Sequence, residues 1–395
     1  MNGDDRQVIV HVVNSLESGG TERTLVALLR AFNASRFRHV LATLRNAGPL
    51  AEQLPDNVAC QAFGTYRSCW RTGIALAALC RRWKAAALHA RNTGCWYDSS
   101  LAALLSPGAR LILGFHGLQR PGPLSDRHRR LAHWAARAGA RFASVSAAGR
   151  QQLIEQAHIP PQQVVVLRNG VECRAFAPRG GDAARGARRA ALGLSDSEFV
   201  VGTVASLTPV KQHAMLIRAL AGASLQVPNI RLLIVGDGPL RTALARQADE
   251  AGIDRCVRFL GWRADVPEVL SCLDAYVCSS ASEGMSNSVL EAMAASLPIV
   301  ATDVGDNAVM LRNNVDGCIV KPDSADSIAG ALVMLGRSPG LRRHLGAAAA
   351  ARARDYSFEH TVRAYEEYYQ SILAPTRRPH TASGEHVTGQ PITAW

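Results

Sequence analysis

Residues 275–294 read Ala275-Tyr276-Val277-Cys278-Ser279-Ser280-Ala281-Ser282-Glu283-Gly284-Met285-Ser286-Asn287-Ser288-Val289-Leu290-Glu291-Ala292-Met293-Ala294. The first four residues form a short apolar run of the kind that makes a buried strand. Small polar residues follow, Glu283 and Gly284 make a turn, and Ser286 or Asn287 caps a helix running on to Ser296. Strand, glycine turn and helix in this order are the repeating unit of a parallel sheet, with the turn at the strand's carboxyl end. Glu283 and Glu291 are eight residues apart, which on one helix leaves them ~80° out of phase. The pair shares a site only if Glu283 lies in the loop and Glu291 on the helix, with the free N–H groups of Gly284, Met285, Ser286 and Asn287 between them. Amides at a helix start hold phosphate and sugar oxygens. One carboxylate can accept from sugar hydroxyls and the other from a ribose diol. Solvated surface carboxylates are the alternative; the apolar strand and small-residue helix favour a buried setting.

The same alternation runs outward in both directions. Strands are predicted at 8–13, 39–44, 58–62, 86–90, 110–115, 141–145 and 164–167, then at 200–205, 231–235, 257–260, 275–278, 298–301 and 318–320, with helical stretches between them. That pattern predicts an α/β chain of two Rossmann-like, doubly wound domains with a cleft between them. The 395 residues suit two domains. Residues 1–177 form the first. Residues 178–194, rich in Gly, Arg and Ala and poor in bulky apolar residues, read as a linker with room for a short helix near Leu192. Residues 195–357 form the second, and 375–395 read as a disordered tail.

Four more motifs fall in loops after predicted strands, where an interdomain site would gather them. Ser18-Gly19-Gly20-Thr21-Glu22 opens a helix and offers an anion its N–H groups, though it is not the G-x-G-x-x-G fingerprint. Gly114-Phe115-His116-Gly117 puts an imidazole at a strand's carboxyl end, where it can donate a hydrogen bond to a transferring sugar. Ser206-Leu207-Thr208-Pro209-Val210-Lys211 brings Lys211 to a helix start suited to phosphate. Val235-Gly236-Asp237-Gly238-Pro239 is a turn that a nucleotide could cross, with Pro239 at the first helical position. Each, taken alone, equally fits an ordinary strand-to-helix turn, a structural histidine or a surface lysine.

The chain holds no D-x-D, no H-E-x-x-H, no G-x-S-x-G and no G-x-x-x-x-G-K-[ST]. Neither a catalytic metal nor P-loop or hydrolase-elbow chemistry is expected. The nine cysteines include no C-x-x-C and read as small buried hydrophobes in a reducing compartment. The polar start, and the absence of a run of ~18 apolar residues, lead us to expect a cytoplasmic protein.

The net charge of +12 is uneven: residues 60–150 hold fourteen Arg or Lys against Asp98 and Asp126. Such a face attracts anionic lipid or a phosphorylated substrate. No nucleic-acid signature accompanies it, so no nucleic-acid partner is expected. Within 66–91, Trp70, Leu76, Leu79, Trp83 and Leu88 lie among basic residues, a pattern that fits peripheral contact with the inner face of the plasma membrane. A half-buried helix with a solvated basic side is the alternative.

From its first strand to about Leu373 the sequence resembles glycosyltransferase family 4, the retaining enzymes of the GT-B fold. Ser279 to Val304 is similar to the family's E-x7-E region and the L-P-[IV]-[VI]-A-T-x-V-G stretch after it, and Arg168-Asn169-Gly170-Val171 to its crossover motif. Glu283-Gly284-Met285-Ser286-Asn287 resembles members that build bacterial surface polysaccharides. The resemblance implies transfer from a UDP- or GDP-sugar to a saccharide or lipid-linked acceptor, with no further cofactor. It implies that Glu283 contacts the donor sugar, Glu291 the ribose, and Gly284 to Asn287 the sugar and diphosphate. Lys211 would neutralise the leaving diphosphate and His116 would meet the sugar near its reacting carbon. Gly19 and Gly20 would border phosphate and acceptor, Trp262 and Arg263 would meet the base, and Phe358–Leu373 would match the family's last helix, which crosses back to the first domain. The sequence departs from the family at Ser206, where an Arg is usual, and after Gly305, where Asp306 stands in place of a second glycine. A nucleotide-sugar epimerase or phosphorylase of the same fold, and a non-catalytic nucleotide-sugar-binding protein, are the alternative functions.

Overall fold

A computed structural model describes residues 6–17, 19–65, 70–117, 122–178 and 180–374. Ser18, part of the 66–91 stretch and the predicted tail 375–395 lie outside the described residues.

Seven strands form the first sheet: β1 Gln7–Val13, β2 Phe37–Thr43, β3 Ala59–Ala62, β4 Ala85–Ala90, β5 Arg110–Phe115, β6 Arg141–Ser144 and β7 Val164–Val166, in the order β3-β2-β1-β4-β5-β6-β7. Six form the second: β8 Phe199–Val204, β9 Ile230–Val235, β10 Val257–Gly261, β11 Ala275–Cys278, β12 Ile299–Thr302 and β13 Cys318–Val320, in the order β10-β9-β8-β11-β12-β13. All pairings between these strands are parallel. Helices cover both faces of each sheet, so the central strands bury nearly every residue and read as unbroken apolar runs. Strand order reverses between β1 and β4 and again between β8 and β11. The carboxyl ends at those points are where doubly wound sheets place ligands.

Each sheet has one apolar cluster on either face. One first-domain cluster draws on the chain's last described helix: Tyr365, Tyr369, Ile372 and Leu373 of Phe358–Leu373 pack with Ile9, Leu41 and Ala87 of the first sheet. Residues 178–194, expected as a linker, contain the helix Gly181–Ala191. Its anchors are ionic: Arg185 and the buried Arg189 both reach Asp274, at 2.7 and 2.6 Å. A helix held by guanidinium groups shows no apolar stripe, which is why its sequence reads as a linker. Among the described residues no helix is long and apolar enough to cross a membrane.

Candidate active site

The loop after β11 builds one wall. Glu283 lies in the loop and Glu291 on the helix Asn287–Ala294, capped by Ser286, whose Oγ accepts from the Val289 N–H. The Glu283 Oε1 accepts hydrogen bonds from Lys211 Nζ and Ser280 Oγ, each at 2.6 Å. Burial works against the Lys211 charge, but the Glu283 carboxylate outweighs it and holds the amine above its ordinary value. Lys211 ends a short turn, Pro209–Lys211, that precedes the helix His213–Ser224. The turn is tied to β11's exit by Ala281 N–H donating to the Val210 carbonyl and Ser279 Oγ to the Lys211 carbonyl. Among the described residues, the N–H groups of Gly284, Met285, Ser286 and Asn287 donate to no protein acceptor. Burial pushes the Glu291 carboxyl up to about 7, against the pull of Arg23.

The first domain supplies the other wall. His116 follows β5, and burial, aided by the Arg91 charge, pulls its imidazole down to about 3, so it is neutral at pH 7. Gly117 has φ +89, and a Cβ there would lie 3.0 Å from the Gly284 nitrogen; one on Gly284 would lie 2.5 Å from the His116 carbonyl oxygen. Only glycine lets the two loops touch backbone to backbone. The helix Gly20–Ala31 points its first turn at the same place: Asn287 Nδ2 donates to Thr24 Oγ1 at 3.0 Å and to the Gly20 carbonyl at 3.3 Å. Gly19 is that helix's N-cap and packs against the Glu22 carboxylate.

Other expected site residues take different company. Arg23 stacks over Trp262 at 5.6 Å, so the exposed indole faces the first domain. Arg263 is turned onto Asp265. Among the described residues, the side chain that Ser206 hydrogen-bonds is Thr208, at 3.4 Å. Arg241 lies over the Phe259 ring. Gly236, with φ +130, packs on the Ala205 carbonyl where any side chain would collide, a structural duty at the turn. The helix after it starts at Arg241, two residues beyond Pro239.

The sequence reading missed three residues that join the walls. Arg23 is the cation facing Glu291. Asn169, quoted within a motif but given no duty, donates from Nδ2 to the Met285 carbonyl at 3.1 Å. Asp306 accepts from the Ala147 and Ala148 N–H groups in the first domain. The only signal for Asp306 was its departure from the family pattern.

Two parallel α/β domains, meeting along the carboxyl ends of their strands, define the GT-B architecture. Residues 18–175 match the family model described as Glycosyltransferase Family 4, and residues 198–338 match that described as Glycosyl transferases group 1. Together these span most of the chain, which belongs to this glycosyltransferase family. It is similar to the UDP-Gal:alpha-D-GlcNAc-diphosphoundecaprenol alpha-1,3-galactosyltransferase of Escherichia coli, 26% identical over 73% of this chain and 78% of that one. It is 34% identical to the D-inositol 3-phosphate glycosyltransferase of Mycolicibacterium paratuberculosis over 56% of this chain, which spans about half (51%) of that relative's length. Among solved structures, the Anabaena protein HepE in complex with UDP-glucose superposes with a TM-score of 0.82 at 21% identity, covering 93% of this chain and all of that one. A glycosyltransferase from Rickettsia africae gives 0.82 at 18% identity over 94% of this chain and all of its own.

Proposed function

We propose that the chain transfers a sugar from a nucleotide diphosphate sugar to an acceptor hydroxyl, with retention at the anomeric carbon and without a metal ion. The observation that carries this reading is the Glu283–Lys211 pair beside four unpartnered amides at the carboxyl end of β11. The amides of Gly284 to Asn287 face the diphosphate and sugar hydroxyls. Glu283 orients the sugar, and Glu291 accepts from the ribose. Lys211 and the helix start stabilise charge as it builds on the leaving diphosphate. Neutral His116 donates to the sugar from the opposite wall. The acceptor hydroxyl attacks from the leaving group's side, and its proton passes to the departing phosphate oxygen. Trp262 stacks on the base. The E. coli relative's name places its acceptor on diphosphoundecaprenol, and by that likeness the acceptor here is a lipid-linked saccharide.

Glu283→Gln keeps the side chain's size while removing the charge that Lys211 faces. Its expected effect is a fall in turnover of about 10²–10³-fold, with the fold of the free protein retained by circular dichroism and its melting temperature lowered because Lys211 loses its partner. Nuclear magnetic resonance of the product should show the donor's anomeric configuration. Full activity in the variant, or an inverted product, would remove the assignment; isomerised donor without transfer would point to an epimerase.

A second part of the reading concerns the first domain's outer helices. Of the apolar residues the sequence pointed to, Leu76, Leu79 and Leu88 are core and Trp83 packs against it; Trp70 and Ile74 on Trp70–Arg82, Leu104 and Leu105 on Trp96–Leu105, and Trp134 on Asp126–Arg137 are the exposed large apolar residues set among arginines. Apolar anchors ringed by cations suit an anionic bilayer. Co-sedimentation with acidic vesicles that weakens with salt is expected, and absence of binding at low salt would refute it.

A further inference from the structure

Asp306 stands in the loop after β12 and is 1% exposed. A buried carboxylate needs full satisfaction, and its two oxygens obtain it from the other domain. Oδ2 accepts from the Ala147 N–H at 2.9 Å and Oδ1 from the Ala148 N–H at 3.1 Å. These are the first two residues of the first-domain helix Ala147–Ala157. The third N–H, of Gly149, donates to that helix's own cap, Ser146. The second domain thus supplies the anion that a helix N-terminus attracts.

The same residue grips the donor loop. The Asp306 N–H donates to the Gly284 carbonyl at 3.0 Å, and Gly305 packs on the Glu283 carbonyl. On the first-domain side, Val145, just before the helix cap, donates its N–H to the Phe115 carbonyl, one residue before His116. A short covalent and hydrogen-bonded path therefore runs from His116 through Asp306 to Glu283. Separating the domains breaks both bonds across the cleft at once.

We propose that Asp306 is a closure latch, a positioning residue that fixes the separation between the His116 and Glu283 loops without touching either substrate. Its effect on turnover rests on the glycosyltransferase reading; its effect on domain contact does not. Asp306→Ala removes both acceptors. Asp306→Asn keeps the shape but turns an N–H toward one of the two donors, and serves if the alanine variant folds poorly.

Amide hydrogen exchange followed by mass spectrometry, on the protein without ligand, separates a latch from a simple helix cap. The expected result in either variant is at least tenfold faster exchange both in 145–150 and at Val289 and Leu290, the first hydrogen-bonded amides after the donor loop, on opposite sides of the cleft. Faster exchange confined to 145–150 would show a cap and overturn the proposal, as would exchange unchanged in both. With nucleotide sugar, turnover is expected to fall about tenfold while donor affinity stays within twofold, because most of the donor's contacts, the diphosphate and ribose contacts among them, lie on the second domain. A loss confined to donor affinity would also overturn it. If no nucleotide sugar binds the wild type, the glycosyltransferase reading fails and the exchange result still decides the latch.

Discussion

At the residue scale, Glu291 makes the site sensitive to pH. Its carboxyl titrates at about 7 because burial disfavours its charge more than Arg23 favours it. A ribose diol donates best to an ionised carboxylate. Donor affinity is therefore expected to weaken as pH falls through 7, by up to about tenfold between pH 8 and pH 6, the slope of one proton over one pH unit. In Glu291→Gln the affinity should be lower and flat over that range. Calorimetric titration at three pH values checks this, and an unchanged slope in the variant would detach Glu291 from the ribose. Lys211→Ala should cost turnover more than donor affinity. It removes charge where the leaving group develops it, and on the order of 10²-fold in kcat is expected.

At the scale of elements, the sheet face under the last helix concentrates histidines. His11, His39 and His89 come from β1, β2 and β4, all buried. His11 Nε2 lies 3.0 Å from His39 Nδ1, and His89 Nδ1 lies 2.9 Å from the Tyr369 hydroxyl. The fully buried Arg91 donates to the Tyr365 hydroxyl at 3.1 Å. Burial lowers all three histidines, His39 to about 4, and His213 in the second domain to about 4 as well. The folded chain then keeps them neutral where the unfolded chain, at 6.5, binds protons. Stability is complete above about 6.5 and is lost as pH falls toward 4, by on the order of 1 kcal/mol per pH unit each for His39 and His213, with His11 and His89 acting in the same direction. Urea unfolding at pH 7.5, 6 and 5 should show the midpoint dropping steeply below 6.5; a flat midpoint would contradict the burial. Asp274→Ala should cost about 3–5 kcal/mol, because it strands the buried Arg189.

The strands were readable in the sequence because a doubly covered parallel sheet buries both faces of each strand, and a run such as Ile230–Val235 has no other use. Their ends shifted by a residue or two where turns, not burial, set the limit. The Glu283 and Glu291 placement was readable for a related reason: helix geometry forbids their sharing one face. Of the helix Gly181–Ala191 only a short piece near Leu192 was readable, since its partner Asp274 lies 85 residues beyond Arg189. Asp306 and Ala147 are 159 residues apart, and no local pattern announces such a pair.

For the whole molecule, closure is the organising feature. Asn169, Asn287 and Asp306 each bond across the cleft, and Gly117 meets Gly284 without a side chain between them. In the proposed reaction the domains open far enough for a donor to reach the four free amides, then shut to exclude water. Those amides are where a bound donor must leave its mark. Hydrogen exchange of the full chain should be compared with and without saturating UDP- and GDP-sugars. Slowed exchange at Gly284, Met285, Ser286 and Asn287 with at least one donor is the expected result. A donor that binds but leaves these four untouched, while protecting another surface, would contradict the account.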